Sequence, residues 1–282
     1  MRDVVQTRRS PGIPVSLWIG GLLCGLMVSI AMVSVFWTPY DPTAVDLDST
    51  LLDTGAPGHP LGTDSFGRDQ LSHVMAGAKT SLSITTVAVA WAVIVGVAIG
   101  ATGGMFRGVV DDVLMRIVDV LFAFPGVLIA IMLAVSLGNS PLSVISAVAL
   151  AYVPGVARLA RSATMQVKER DFVLASYAYG RSRHFTFFRH ILPNISSVLV
   201  VQASVLMGLG ILLEASLSYI GIGPPPPTPS WGRMLSESQS FLSTHIGLAL
   251  WPGVAIALSV LGFNQLGDGL RDLLDPRGEQ FR

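Results

Sequence analysis

Residues 81–104 read SLSITTVAVAWAVIVGVAIGATGG, a run without a single charged side chain. A helix needs about 20 apolar residues to cross the ~30 Å hydrocarbon layer of a bilayer, so this run is long enough to span it. The whole chain has the same character, since 51% of its 282 residues are hydrophobic and only 13% are charged. A soluble domain carries about 25% charged residues. Lipid must therefore cover much of the surface, and we predict an all-α polytopic membrane protein.

Working outward from this run, five further apolar stretches qualify, or nearly qualify, as membrane spans. The stretch between Pro141 and Pro154 is short, so that span is tilted or is extended by neighbouring residues. The first stretch exceeds the about 7–15 residues of a signal-peptide core and is predicted to be a retained anchor helix. The six predicted spans are Val15–Trp37, Ser81–Gly104, Arg116–Leu137, Leu142–Val156, Ile195–Ile222 and Ile246–Leu266.

The distribution of basic residues predicts the orientation of these spans. Cytoplasmic loops of membrane proteins carry an excess of Lys and Arg. If both termini are cytoplasmic, fifteen of the 18 Lys and Arg residues lie inside, and only Arg68, Lys79 and Arg233 lie outside. The predicted segments are then a cytoplasmic N-terminus with the first span (1–38), an extracytoplasmic loop (39–79), a core of five spans (80–267) and a cytoplasmic tail (268–282).

The cytoplasmic loop at about 157–194 is the most basic part of the chain, and we predict that it forms short helices. Residues 157–169 favour a helix of their own. Asp171 is placed to cap a second helix over Phe172–Tyr179, and Gly180 is suited to end it in a left-handed conformation. A basic, aromatic-rich segment over 181–190 follows. We expect Pro193 to end that segment and Asn194 to cap the fifth span.

A short, rigid helix that projects from a membrane domain is suited to dock a partner protein. Small residues at Ala175, Ser176 and Ala178 would allow close approach of a partner, and Phe172 and Tyr177 would fill its pockets. From these residues alone, an interfacial helix that lies on anionic lipid is the alternative.

Few polar side chains lie inside the spans. Glu214 either lines a pathway or gate, or forms a hydrogen-bonded strut between helices, because a carboxylate in lipid faces a bundle interior. Gln202 and Asn264 are predicted to be interhelical contacts rather than substrate contacts. Asp119 is expected to pair with Arg116 or to cap a helix.

On the extracytoplasmic side, Asp64, Arg68 and Asp69 form either a salt-linked loop structure or a contact with a receptor. The outer loop at 223–245 begins with a proline-rich run, predicted to be a stiff polyproline spacer that holds Trp231 against the outer surface. The histidines show no metal spacing, and Cys24 is expected to be a buried structural thiol, so we predict no metal site.

The cytoplasmic loop resembles the EAA loop of ABC-importer permeases. That signature has a small-residue triad, a glycine four residues after its last member, and an aliphatic-Leu-Pro ending. Leu174-Ala175-Ser176 occupies the triad, Gly180 the glycine, and Ile191-Leu192-Pro193 the ending. This chain departs from the pattern at Leu174, where the family usually places glutamate, and at Ser176, where it often has alanine.

Three further segments make the resemblance narrower, two in the outer loops and one at the end of the fifth span. Residues 61–69 (LGTDSFGRD), 214–223 (EASLSYIGIG) and 229–232 (PSWG) are similar to the peptide/nickel transport permeases, and within them to the C-type membrane subunit of dipeptide and oligopeptide systems. The resemblance extends from Pro39 nearly to Pro276, most of the chain.

The resemblance implies a six-span, type I ABC importer permease fold with a cytoplasmic coupling helix, in a bacterial inner membrane. It implies a second, B-type permease subunit, two ATPase domains and an extracytoplasmic solute-binding protein as partners, with ATP and Mg on the ATPases and no cofactor on this chain. No nucleic-acid partner is expected, since the net charge of the chain is zero. The chain lacks a GxxxxGK[ST] phosphate-binding loop, so ATP hydrolysis is expected on partner subunits and no enzymatic activity on this chain. The residues expected to couple to the ATPase are Asp171, Phe172, Leu174, Ala175, Ser176, Tyr177, Gly180, Arg181, Leu192 and Pro193.

Di- or oligopeptides are the expected substrates, and nickel complexes, haem or another solute are the alternatives within the class. An ion-coupled secondary transporter would often show paired charges near the midplane or inverted repeats. An intramembrane enzyme would carry a Ser/His, Asp/Asp or HExxH constellation within its spans, and neither pattern is seen in this sequence.

Overall fold

The computed structural model describes residues 14–274, and this range contains ten α-helices and no β-strand. A π-helical turn, Phe187–Ile191, joins α7 to α8. The helices are α1 (Val15–Phe36), α2 (Gln70–Phe106), α3 (Val109–Phe122), α4 (Gly126–Leu137), α5 (Pro141–Lys168), α6 (Asp171–Ala178), α7 (Arg183–Thr186), α8 (Leu192–Tyr219), α9 (Trp231–Ser238) and α10 (Gly247–Leu274).

Five helical runs are long and apolar enough to cross a membrane: α1, α2, α5, the continuous run 183–219 and α10. The pair α3 and α4 makes a sixth span if the two are counted together. The prediction of an all-α polytopic membrane protein is therefore confirmed. Most of the large apolar side chains of α1 and α4 are exposed, as expected for surfaces that lipid or a partner covers.

The third span is not the continuous helix predicted over Arg116–Leu137. The chain is helical from Val109, but it breaks after Phe122 and turns by 86° before α4 begins at Gly126. Pro125 explains the break, because a proline disfavours the helical conformation of the residue before it.

The fourth span is longer than Leu142–Val156, and the loop helix predicted over 157–169 is not separate from it. Helix α5 runs without interruption through Pro154 to Lys168. A proline inside a membrane helix is tolerated when neighbouring helices pack around it. Pro154 is buried in the bundle. The continuation of α5 to Lys168 confirms that neighbouring residues extend this span.

Helix α2 packs along α5, and this pair forms the centre of the bundle. A Cβ atom at Gly100 would overlap the backbone of α5 at Ala157, so only glycine permits this approach. Glycine or another small residue at a helix interface is the usual means of close packing in membranes. Helix α10 packs between α1 and α8 on the other side.

Two predicted boundaries are wrong. Helix α2 begins at Gln70, so residues 70–79, assigned by sequence to the outer loop, are helical and partly buried against α9 and α10. Helix α10 continues to Leu274, well into the predicted tail. The predicted cytoplasmic residues Arg2, Arg8, Arg9, Arg277 and Arg282 lie outside the described residues.

The bundle has two ends with different contents. One carries α6, α7 and the last turns of α2, α5 and α10, and we call it the α6 end. The other carries α9, the loop 38–69 and the first turns of α2, α5 and α10, and we call it the α9 end.

Candidate functional site

Helix α6 is the short helix that the sequence places between the fourth and fifth spans. It covers Asp171–Ala178, one residue earlier at each end than predicted. Arg170 occupies the cap position, so Asp171 is the first helical residue and not the cap. An acidic side chain in the first turn still interacts favourably with the helix dipole.

Gly180 ends α6 in the way the sequence predicts, with φ +74°. Its N–H donates to the Tyr177 carbonyl at 2.9 Å, and the Arg181 N–H donates to the Ser176 carbonyl at 3.2 Å. This pair of hydrogen bonds is typical of a helix ended by a left-handed glycine, and it satisfies two carbonyls that would otherwise lack partners. The end of α6 is therefore firmly defined, and a side chain at 180 would be strained.

The inward face of α6 fastens it to the bundle. Val173 is fully buried, and the Ser176 hydroxyl hydrogen bonds to that of Thr186 at 3.0 Å. Tyr177 is half-buried against the same apolar cluster, and burial raises the pKa of its hydroxyl above 10.0. Ser176 and Tyr177 therefore seat α6 on its own chain, while Ser176 also borders the cleft on the open side, and their contact with a partner stays a prediction.

The outward face of α6 is open. Phe172, Leu174, Ala175 and Tyr179 are exposed, with Tyr179 85% accessible. A cleft of about 610 Å³ opens beside this face. Its lining residues are Phe172, Ala175, Ser176, Tyr179, Gly180, Arg181, Phe185 and His190. The sequence-predicted residues Phe172, Ala175, Gly180 and Arg181 are thus brought together on one surface.

The segment after α6 differs from the prediction that Pro193 ends it and Asn194 caps the next span. The chain stays helical from Arg183 to Tyr219, with the π-helical turn Phe187–Ile191 just before Pro193. The Asn194 amide donates to the His190 carbonyl at 2.6 Å, so it stabilises the helix from within. Pro193 follows the π-helical turn closely, and the altered hydrogen bonding of that turn accommodates the missing N–H of the proline.

Leu192 and Pro193, two further predicted coupling residues, have different environments. Leu192 packs against the apolar cluster beneath α6, whereas Pro193 is exposed. Leu192 therefore supports the base of α6.

Ion pairs brace the helices that carry α6. Arg161 of α5 binds Asp111 of α3 through two hydrogen bonds of 2.6 Å, a geometry that favours a fixed orientation. Asp119 pairs with Arg158 at 2.7 Å and not with Arg116, as the sequence suggested. Arg116 is only three residues away on the same helix, but Arg158 reaches across from α5.

The α9 end contains a compact charge network. Arg68 donates to Asp64 at 2.5 Å and to Glu237 of α9 at 2.7 Å, and Arg233 donates to Glu237 at 2.7 Å. Burial raises the pKa of the Glu237 carboxyl, but hydrogen bonds from Arg233 and Arg68 lower it more, so its pKa lies below the ordinary 4.5. Sequence reasoning overlooked Glu237, although its spacing of four residues from Arg233 is a pairing signal.

Asp69 organises the loop before α2. It is 2% exposed, and its carboxylate accepts hydrogen bonds from the Ser72 N–H and hydroxyl at 2.8 and 2.7 Å. It also lies 2.9 Å from His59 Nδ1. The geometry favours the loop-structure interpretation of Asp64, Arg68 and Asp69 over the receptor contact.

Trp231 is not on the outer surface, where the sequence placed it. It is fully buried at the start of α9, and its indole N–H donates to the Val74 carbonyl of α2 at 3.0 Å. The proline run does not act as an extended spacer either. The Thr228 N–H donates to the Pro225 carbonyl at 3.1 Å, which closes a turn and brings Trp231 back into the bundle.

Glu214 is fully buried in α8. Its Oε1 accepts a hydrogen bond from the Ser218 hydroxyl at 2.7 Å, one turn along the same helix, and its Oε2 has no hydrogen-bond partner among the described residues. Gln202 is partly buried. Asn264 is exposed on α10, with its side chain against Gly208 of α8.

One cluster has the composition of a metal site. Within residues 14–274, Asp64, His73 and Glu237 are the group whose ligand atoms lie close enough together, within 4.8 Å. Both carboxylates already bind the Arg68 guanidinium, which occupies the place of a cation. The donor set therefore fits an ion-pair network better than a metal ion.

Comparison with known proteins gives a consistent result. Residues 70–280 match the family described as binding-protein-dependent transport system inner membrane component. The glutathione transport system permease protein GsiD of Pectobacterium atrosepticum is 39% identical over 257 residues, covering 91% of this chain and 85% of that protein. The dipeptide transport system permease protein DppC of Alkalihalophilus pseudofirmus is 41% identical over 219 residues, covering 78% and 72% respectively. GsiD of Escherichia coli is 40% identical over 256 residues, covering 89% and 83%.

Proposed function

The chain belongs to the binding-protein-dependent transport inner membrane component family, the permeases of ABC importers, and from this premise we propose that it translocates small peptides delivered by an extracytoplasmic binding protein. The observation that carries the proposal is α6, a helix ended by Gly180, with an open apolar outward face at the basic end of the bundle. Phe172 and Leu174 are 41% and 53% exposed, and among residues 14–274 neither belongs to the apolar cluster beneath α6.

The partner proposed for α6 is an ATPase domain. A rigid helix transmits displacement, whereas a flexible loop would absorb it as conformational change. Phe172, Leu174 and Tyr179 offer apolar anchors, and the adjoining cleft of about 610 Å³ accepts a side chain from the partner. Buried aromatic anchors of this kind dominate the energetics of protein interfaces.

In the proposed mechanism, ATP-driven closure of two ATPase domains moves α6 of this chain and the equivalent helix of a homologous B-type permease. The buried contacts of Val173 and the Ser176–Thr186 hydrogen bond pass that movement to α5 and α8. Access then switches between the two sides of the membrane. ATP and the binding protein act by binding the two states with different affinity, and ATP hydrolysis occurs on the partner subunits.

We propose that the α6 end is cytoplasmic. Arg107, Arg116, Arg158, Arg161, Lys168, Arg170, Arg181, Arg183, Arg189 and Arg271 are at or near this end, whereas Arg68, Lys79 and Arg233 are at the other. The excess of positive charge on cytoplasmic loops supports this orientation. The inner membrane of a bacterial cell is the corresponding location.

The proposed substrates are di- and oligopeptides, including the tripeptide glutathione. The support is the set of relatives, which are named for glutathione and dipeptide transport. Nickel complexes, haem and other solutes remain the alternatives within the class.

The decisive experiment is reconstitution of the chain into liposomes with a second permease subunit, the ATPases and the binding protein. We expect uptake of a labelled dipeptide or of glutathione only when ATP and every subunit are present. Uptake by the permease alone, driven by an ion gradient, would instead establish a secondary transporter. Competition with a panel of peptides, nickel complexes and haem then identifies the substrate.

Orientation is tested separately with single cysteines. Thr228 and Ser182 are both exposed and lie at opposite ends, and native Cys24 is buried. Thr228→Cys in intact cells should react with an impermeant maleimide, and Ser182→Cys should react only after the cells are opened. The reverse pattern would overturn the proposed orientation.

A further inference from the structure

A second cleft at the α6 end lies on the flank of the bundle, away from the outward face of α6. It has a volume of about 210 Å³ and lies between the last turns of α2 and the segment 183–188. We infer that this flank cleft binds one anionic phospholipid. The inference goes beyond the proposed function, since it does not depend on the transported solute.

The floor of the flank cleft is shaped for an acyl chain. Ala98, Thr102 and Phe106 lie on successive turns of one exposed face of α2, and the two smaller residues leave a slot that leads to Phe106. The slot is about 12 Å long, since eight residues of helix rise 1.5 Å each. Phe187 and Phe188 form its aromatic wall, with ring centroids 5.0 Å apart.

The mouth of the flank cleft is positively charged. Arg183 and His184 are exposed there, and the Arg183 guanidinium lies 5.2 Å from the centroid of the Phe106 ring. The ion pairs of this end engage Arg107, Arg158 and Arg161 with acidic residues but do not include Arg183.

A second cation, Lys168, does not line the flank cleft but is hydrogen bonded to the backbone of Met105, a residue that does. Lys168 donates to the Met105 carbonyl at 2.6 Å, at the end of α2, and no carboxylate pairs with it among the described residues. The Arg107 and Arg183 guanidinium groups and the Glu169 carboxylate are its charged neighbours.

An apolar slot with an unpaired cationic mouth is complementary to a phospholipid that carries net negative charge. The phosphate would be held by Arg183 and His184, and one acyl chain would follow Ala98 and Thr102 into the membrane. A peptide or protein partner would not require an apolar slot that is continuous with a charged mouth along the membrane normal. The cleft also lies at the last turns of α2, where the proposed orientation places the cytoplasmic membrane surface and its headgroups.

The test uses native mass spectrometry of the assembled transporter in detergent, titrated with phosphatidylglycerol or phosphatidylcholine. Each basic residue near a membrane surface contributes about 1 kcal/mol to anionic-lipid binding, so Arg183→Gln should weaken phosphatidylglycerol binding about fivefold. Arg183→Lys should retain most of the affinity. Ala98→Phe, which fills the slot without changing charge, should also weaken binding.

Arg189→Gln is the matched control, because it removes the same charge from the same segment at a position that does not line the cleft. Equal losses from Arg183→Gln and Arg189→Gln would overturn the inference, as would equal binding of phosphatidylcholine. Competition by millimolar inorganic phosphate would show a phosphate site and not a lipid site. Crosslinking of Thr102→Cys to the second permease subunit, with no lipid retained, would show that a protein covers the cleft and would likewise refute the inference.

Discussion

The two ends of the bundle are built differently. At the α9 end, Trp231 and Asp69 are buried, and Arg68 joins the loop to α9 through carboxylates of both. At the α6 end, Leu174 is 53% exposed and Tyr179 85%, and the apolar side chains of α6 are divided between a seated face and an open one. The α9 end pairs its buried charged groups within the chain, whereas the α6 end leaves an apolar face open, which we propose a partner covers. Substitutions at the first should therefore affect stability, and substitutions at the second should affect transport.

The largest effect on stability is expected for Trp231→Ala. Truncation of a fully buried Trp costs about 3–5 kcal/mol, because it removes packing and leaves a cavity. It would also remove the indole hydrogen bond to Val74. Trp18→Ala, at an exposed position on α1, is the control and should change stability by less than about 0.5 kcal/mol. Thermal denaturation of the purified variants in detergent measures the melting temperature of each. Similar decreases in melting temperature for Trp231→Ala and Trp18→Ala would contradict a stabilising core at the α9 end.

The next prediction compares two glycines, one at each end of the bundle, at which a side chain would be similarly strained. Gly180 and Gly221 both have positive φ, +74° and +89°, and both have open space where a Cβ would lie. Valine at either should cost about 1–2 kcal/mol from the left-handed conformation. We expect Gly180→Val to abolish ATP-dependent uptake with the protein still in the membrane, and Gly221→Val to retain most of it.

Uptake in reconstituted liposomes and the amount of inserted protein are measured together for both glycine variants. Normal uptake by Gly180→Val would remove the docking role proposed for α6. Equal loss of uptake in both variants would assign the defect to strain alone.

A smaller effect is expected from the charge network of the α9 end. Glu237→Gln should destabilise the protein by about 1 kcal/mol at pH 7, since it weakens contacts with Arg68 and Arg233. Because the pKa of Glu237 in the folded protein lies below 4.5, the carboxylate stabilises the fold above that pH, and the contribution is lost as the pH falls through the folded pKa. The difference in melting temperature between wild type and Glu237→Gln should therefore shrink on acidification below pH 4.5. A difference that grows instead would contradict this assignment.

The smallest effect is expected from the corresponding change at the α6 end. Glu169 pairs with Arg107 at 2.6 Å, but the two side chains are 69% and 50% exposed. Exposed pairs of this kind contribute about 0–1 kcal/mol, so Glu169→Gln should leave the melting temperature nearly unchanged. If Glu169→Gln lowered the melting temperature as much as Glu237→Gln does, the ion pairs at the two ends would contribute equally to stability, and the proposed difference between the ends would be wrong.

Several sequence predictions failed for a common reason, which is visible at the loop between the fourth and fifth spans. Pro154 and Pro193 each suggested a helix boundary, yet both lie within continuous helices. Local propensity disfavours proline inside a helix, but a buried bundle and a π-helical turn accommodate it. Conversely, the apolar run around Pro125 predicts a continuous span, yet the helix breaks there. The sequence could not distinguish these prolines because the difference lies in the packing around each one.

The sequence by itself determined the membrane class, the approximate position of the spans, which number six when α3 and α4 are counted as one, and the glycine that ends α6. These properties depend on local sums of hydropathy and charge and on the conformational freedom of one residue, all of which are readable along the chain. Tertiary structure alone decided which side of each helix is buried against a neighbour and which side stays open. Ser176 faces Thr186 and Trp231 donates to Val74, 157 positions away, because distant segments meet there. A helix that is apolar on nearly every side contains no record of which neighbour it will meet, so its buried and open faces are set only when the bundle assembles.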